Sequence, residues 1–356
     1  MAKLLGIVTI VHGENYGNRL QNYALQTALE ELGYDVITFK RNIYRNIPSQ
    51  IKNEIKRKIH SSKFDRKRRA LFAEFNNKYI HFSHITLSNR KPQQKKDFSP
   101  FFAFICGSDQ IWNPNWSTNS DVDFLTFAPK EKRIAYAASF GVEKIEKKDE
   151  PRYKKNLKEM NFISVRETVG RQIVYNLTNR EVQIVVDPTM LISSEKWMKI
   201  EEKPCFEYED NYVFCYFLAG VNPNVRNAIE KYAKDRNQKI IWFDNKENPH
   251  TFENGPSQFL YIIHHASHVF TDSFHCTVFS ILFQRQFDVF SRYLAGSKMN
   301  DRIMTILKKC ELDSRYDRKL IEDEDIDYKL VNKLIGEMVQ ESKDYLQASL
   351  DSLATI

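Results

Sequence analysis

The residues best placed to move a proton are His275 and the polar turn just before it. An apolar run ends at Phe270 and meets Thr271, Asp272 and Ser273, after which apolar residues resume at helical spacing through Val278, Phe279, Ile281, Leu282 and Phe283. The pattern predicts a buried strand, a turn and a buried helix, with Asp272 or Ser273 as N-cap and His275 in the first helical turn. In an open α/β sheet such a junction lies at the carboxyl end of a strand, where crevices form and helix N–H groups attract an anion. An imidazole beside a phosphate pocket could deliver a proton near neutral pH. The other reading is a histidine that hydrogen-bonds a neighbouring carbonyl while the helix merely packs.

Further polar groups follow apolar runs elsewhere. Residues 101–106 are apolar and lead into Gly107, Ser108, Asp109, Gln110, Ile111 and Trp112, a loop holding a carboxylate, an amide and an indole. Carboxylates and amides grip sugar hydroxyls, and an aromatic face packs on pyranose C–H groups; the alternative is a capped turn with Trp112 in the core. Tyr136 lies near the exit of a strand over 133–140, and Arg166 ends a strand over 161–167. A guanidinium suits a carboxylate or phosphate through bidentate geometry, or forms a surface ion pair. The turn at residues 12–18 carries Gly13, Asn15, Gly17 and Asn18 and could hydrogen-bond a polyol or phosphate, but it lacks both the G-x-G-x-x-G and the Walker patterns.

These groups need two sets of elements to position them. A strand over 3–11, a helix over 18–32 and a strand over 34–39 open a βαβ run. A second α/β run begins with a strand over 212–218, and a terminal helix covers 326–350. The expected class is α/β, with two Rossmann-like domains facing across a cleft. Their bounds are 1–195, 211–325 and a C-terminal helix at 326–356, joined by a linker over 196–210, with a basic helical insertion near 45–75.

Composition narrows the function classes. The chain has 356 residues, 42% hydrophobic, with 11 Gly and 11 Pro, which fits two packed domains rather than a disordered chain. The apolar run at 4–11 is too short for a secretory leader and there is no transmembrane run, so a cytoplasmic protein is expected. Five cysteines at 106, 205, 215, 276 and 310 form no Cys-x-x-Cys pair, and neither a disulfide framework nor a metal site is expected. Net charge is +7, yet residues 40–69 hold twelve Lys and Arg against Glu54 and Asp65, a local +10 that leaves −3 elsewhere. A solvated helical face explains such a run, as does peripheral docking on an anionic membrane. No recognition motif supports nucleic acid.

Six motifs in order carry a resemblance. Gly13-Glu-Asn-Tyr-Gly-Asn-Arg-Leu-Gln-Asn-Tyr-Ala-Leu25, Cys106-Gly-Ser-Asp-Gln-Ile-Trp-Asn-Pro114, Ala135-Tyr-Ala-Ala-Ser-Phe-Gly141, Ser164-Val-Arg-Glu167, Asp187-Pro-Thr-Met-Leu191 and Thr271-Asp-Ser-Phe-His275 resemble the polysaccharide pyruvyltransferase family over residues 4–310. The resemblance implies a GT-B-like pair of domains and phosphoenolpyruvate as co-substrate, with no cofactor. It implies as acceptor a sugar of a bacterial surface polysaccharide or its lipid-linked oligosaccharide precursor. It implies His275 as the catalytic acid and Arg166 as a donor-binding group, with Asp272 and Ser273 beside them. Asp109, as a catalytic base, and Asn15, Asn18, Gln110, Trp112 and Tyr136 fall to the acceptor side. Ser273 stands where other branches of the family carry Arg, so Arg302 or Lys298 is expected to supply the missing charge. The competing classes are a GT-B glycosyltransferase using a nucleotide sugar and a sugar-binding relative without turnover. Binding of phosphoenolpyruvate against nucleotide sugars separates the first, and phosphate release separates the second.

Overall fold

Short runs of Val, Ile and Phe alternating with amphipathic stretches can bury both faces of a parallel sheet. The computed structural model describes residues 2–42, 62–89, 97–204, 211–243, 248–293, 301–318 and 324–354. Its strands are β1 (Leu4–Val8), β2 (Asp35–Asn42), β3 (Phe82–Ser88), β4 (Phe101–Cys106), β5 (Arg133–Ala138), β6 (Phe162–Val165), β7 (Gln183–Ile184), β8 (Tyr212–Tyr216), β9 (Lys239–Trp242), β10 (His268–Thr271) and β11 (Gln286–Val289). The helices that matter below are α1 (Tyr16–Glu31), α2 (Lys63–Tyr79), α3 (Glu150–Lys158), α4 (Thr168–Thr178), α5 (Ser194–Met198), α6 (Pro223–Asp235), α7 (Pro256–His264), α8 (Phe274–Leu282), α9 (Asp301–Lys309) and α10 (Tyr328–Ala354).

The chain divides into two compact units, one holding Met1–Ser62, Asn76–Ile192 and Met338–Ile356, the other Lys63–Phe75 and Ser193–Glu337. The first is built on a seven-stranded sheet in the order β3-β2-β1-β4-β5-β6-β7, every pair parallel. β5 is buried along its whole length, as a central parallel strand must be. One side of the core joins Phe39, Phe101 and Phe104, and another stacks Trp112 on Phe124 beside Phe140 and Tyr153. The second unit has a parallel sheet in the order β11-β10-β8-β9. The fold class is therefore α/β with two parallel sheets, as expected.

The expected boundaries shift in three places. α5 opens the second unit, because Trp197 is fully buried and packs edge-on against Phe279; the 196–210 linker thus starts inside an element. The start of α2 also belongs to that unit, held by Lys67 Nζ at 2.6 Å from Glu253 and by Arg68 Nη1 donating to the carbonyl of Phe252. These two cations of the basic segment are thus engaged within the protein. Residues 43–61, the rest of the basic helical period, lie outside the described residues. The end of α10 belongs to the first unit, where Ser342 Oγ accepts the N–H of Val186. Among the described residues no helix is long and apolar enough to cross a membrane.

Candidate functional site

In the first unit, polar side chains gather where the strands end. β6 hands Arg166 to the carboxyl edge, and the guanidinium bonds Asp187, which follows β7, in a short ion pair. Its Nη2 donates to Asp109 Oδ1 at 3.3 Å, and its Nε lies 3.7 Å from Glu167 Oε2. Arg166 is 4% exposed. Burial alone would lower its pKa, but the carboxylates of Asp187, Asp109 and Glu167 outweigh it and hold the pKa above the ordinary arginine value.

Each partner is itself braced. Asp187 Oδ1 accepts from Thr189 N at 3.0 Å and Thr189 Oγ1 at 2.7 Å, and Ser108 Oγ lies 2.9 Å from its Oδ2. The N–H of Ser108 donates to Gln21 of α1 at 3.0 Å, and Glu167 Oε1 accepts the N–H of Phe140. Gly107 makes the turn possible: a Cβ there would stand 1.9 Å from the carbonyl oxygen of Tyr136. Arg166 and Asp109, expected to serve donor and acceptor respectively, therefore belong to one ion-paired cluster. Arg166, expected as a donor-binding group, is thus paired with three carboxylates.

Three residues expected on the acceptor side are buried. Trp112 is fully buried, stacked on Phe124 at 5.3 Å, and its Nε1 donates to the carbonyl of Asp123, so it presents no face to a sugar. The hydroxyl of Tyr136, likewise fully buried, donates to the carbonyl of Val186. Gln110, at φ 52°, accepts from Asn113 Nδ2 at 2.6 Å and shapes the loop. Asn15 is the N-cap of α1, its Oδ1 accepting the N–H of Asn18 at 3.0 Å. Asn18 is 3% exposed, and its Oδ1 has no hydrogen-bond partner among the described residues.

In the second unit β10 ends at Thr271, and α8 starts two residues after Asp272. Ser273 is the N-cap, its Oγ 3.5 Å from the N–H of Cys276, and His275 stands in the first helical turn, 7% exposed. The carboxylate of Asp272 accepts the N–H groups of Leu218 at 2.7 Å and Ala219 at 3.3 Å, tying the loop after β8 to the end of β10. Burial raises the Asp272 pKa, and the Leu218 bond and the charge of Arg292 partly offset this. Arg302 of α9 is 6% exposed, with its guanidinium carbon 5.9 Å from the ring of Phe274, the residue before His275. It thus stands beside the start of α8, while Lys298 lies outside the described residues. Burial pushes the Cys276 thiol up to about 12, which leaves it an inert packing group.

Sequence reasoning passed over Arg19, Glu167, Asp187 and Arg292. Glu167 and Asp187 each sit in a quoted motif directly after a strand, which was the available signal. It also found no metal cluster, judging by spacing along the chain. The fold brings Glu201 to His264, with Oε2 2.9 Å from Nδ1, and the ligand atoms of these two and His265 lie within 4.8 Å of one another. The short His264–Glu201 contact is a hydrogen bond between the imidazole and the carboxylate. A groove of about 510 Å³ lined by Lys130, Glu159, Asn161 and Arg180 lies at the amino ends of β5 and β6, away from the strand exits.

A family model described as polysaccharide pyruvyl transferase matches residues 15–292. No curated protein matches the chain. Among solved structures, the UDP-GlcNAc 2-epimerase of Methanocaldococcus jannaschii is similar at 9% identity with a TM-score of 0.51, covering 94% of this chain and 92% of its own. The UDP-GlcNAc 2-epimerase of Neisseria meningitidis, bound to UDP-GlcNAc, is similar at 8% identity with a TM-score of 0.50, covering 98% and 94%. Identities this low show the fold alone, which is of the GT-B-like class.

Proposed function

Because the chain belongs to the polysaccharide pyruvyl transferase family, we propose that it moves pyruvate from phosphoenolpyruvate to two hydroxyls of one sugar, forming a ketal and releasing phosphate. The acceptor is a sugar of a bacterial surface polysaccharide or its lipid-linked precursor, and the enzyme works in the cytoplasm with the basic segment meeting anionic lipid. One observation supports this reading most: within the matched span, His275 stands in the first turn of α8 at the exit of β10, with Arg302 beside it.

On this reading the protonated imidazole of His275 gives its proton to C3 of the enol ester as the first sugar hydroxyl bonds to C2. Asp109, held in place by Arg166, takes the proton of that hydroxyl. The second hydroxyl then bonds to C2 and the C2–O bond to phosphate breaks. Its proton restores His275, and the proton on Asp109 leaves with the phosphate. The N–H groups of the α8 start and the charge of Arg302 hold the phosphate, doing together what an arginine in place of Ser273 would do alone. Arg166 is a positioning residue here.

Equilibrium titration separates this from a nucleotide-sugar enzyme. The protein should bind phosphoenolpyruvate, and Arg302→Ala should weaken that binding about tenfold, the loss of one charge-assisted contact. Saturable binding of UDP-N-acetylglucosamine with none of phosphoenolpyruvate would reverse the reading.

A further inference from the structure

We propose that Glu201, His264 and His265 bind one divalent transition-metal ion, zinc by the nature of the ligands, which clasps the segment after α5 to the end of α7. The site lies wholly in the second unit and stands apart from the proposed reaction.

One ligand atom from each of the three residues lies within 4.8 Å of the other two. Oε2 and Oε1 of Glu201 stand 2.9 and 3.2 Å from Nδ1 of His264. Two ligands each about 2.0–2.1 Å from one zinc ion are roughly 3–3.5 Å apart, so this pair already has ligand spacing. The proton of that hydrogen bond is what a metal ion displaces. His265 is exposed, and a side-chain movement of about 1–2 Å brings it to the same spacing.

Neighbours orient both rings. A carbonyl oxygen only accepts, so the 2.9 Å contact of His265 Nδ1 with the carbonyl of Tyr261 puts the ring proton on Nδ1 and leaves a lone pair on Nε2. Metal-binding histidines are usually held this way, one nitrogen donating to a carbonyl and the other turned to the ion. The same ring stacks on Tyr261 at 3.9 Å and 17°, and His264 packs on Phe283 at 4.8 Å. Adjacent residues inside a helix do not face each other. His265, however, is the C-cap of α7, and the two imidazole centroids are 4.7 Å apart.

The carboxylate is fixed from its own side. The N–H of Glu202 donates to the carbonyl of Ser257 at 3.2 Å, and Gln258 Nε2 donates to Glu202 Oε2 at 3.2 Å, which ties the segment to α7. The negative end of the α7 dipole adds to the attraction for a cation. Two imidazoles and one carboxylate favour zinc and its transition-metal neighbours over magnesium and calcium, which take oxygen ligands. Phe283, against His264, closes α8 about 12 Å along the helix from His275. The ion therefore braces this corner of the unit and takes no part in proton transfer.

The test is calorimetric titration of zinc chloride into the full chain after dialysis against a chelator, with cobalt(II) added in parallel for its visible absorption in tetrahedral sites. Wild type should bind one zinc per chain, show the cobalt absorption, and unfold at a higher temperature with zinc than without. Glu201→Gln and His265→Ala should each weaken zinc binding at least about tenfold and abolish that thermal rise. Because His265 is exposed, its alanine variant should unfold in chelator as wild type does, so its loss of zinc is not a loss of fold. His84→Ala, at an exposed histidine of the first unit, should bind zinc like wild type. Equal zinc affinity in wild type, Glu201→Gln and His265→Ala would mean an adventitious ion only and overturns the proposal. So would absence of zinc binding by wild type, or displacement of zinc by excess magnesium.

Discussion

The guanidinium at 166 is the shared counter-charge of Asp109, Glu167 and Asp187, all of them buried. Arg166→Ala should lower unfolding stability by about 3–5 kcal/mol in urea titrations, the usual cost of stripping one partner from a buried ion pair. A loss below about 1 kcal/mol would mean that the cluster behaves like a surface ion pair. The position of Arg166 at a strand exit was legible, because a short apolar run before a charged residue marks the end of a buried strand. Its partners were not. Asp187 and Asp109 lie 21 and 57 positions away along the chain, and no local pattern says which carboxylates a fold will bring to one cation. The same limit applied to Asp272, which reads in sequence as a ligand-facing carboxylate and in the structure ties down the loop after β8.

Elements with regular apolar periodicity were read closely: β4 covers residues 101–106 as expected, and the strand-turn-helix around His275 forms with Ser273 as its cap. β3 was missed. It is an edge strand whose buried positions include Ser83, so its alternation is weak in sequence. The loop after β4 shows a different limit, since an indole among polar residues looks the same whether it faces a sugar or the core. Here it faces the core, stacked on Phe124. Trp112→Ala should therefore cost about 3–5 kcal/mol of stability, while Trp112→Phe should cost clearly less. If the alanine variant instead unfolds like wild type, and loses only acceptor affinity in steady-state kinetics, the sugar-stacking role stands after all.

At the scale of the whole molecule, two α/β runs were visible because parallel strands buried on both faces appear as near-continuous apolar stretches. Which unit holds residues 63–75 and 338–356 was not visible, since that depends on contacts such as Lys67 with Glu253 and Val186 with Ser342. The proposed reaction is pyruvyl transfer from phosphoenolpyruvate with His275 as its proton donor. Phosphate release from phosphoenolpyruvate, followed together with the mass of a cell-envelope acceptor fraction, measures that reaction directly. Wild type should release phosphate in step with a pyruvate-sized gain in acceptor mass, and His275→Gln should lose both by at least about a hundredfold while still binding phosphoenolpyruvate. Equal turnover by His275→Gln, or phosphoenolpyruvate left intact by the wild type with every acceptor fraction, would contradict the account.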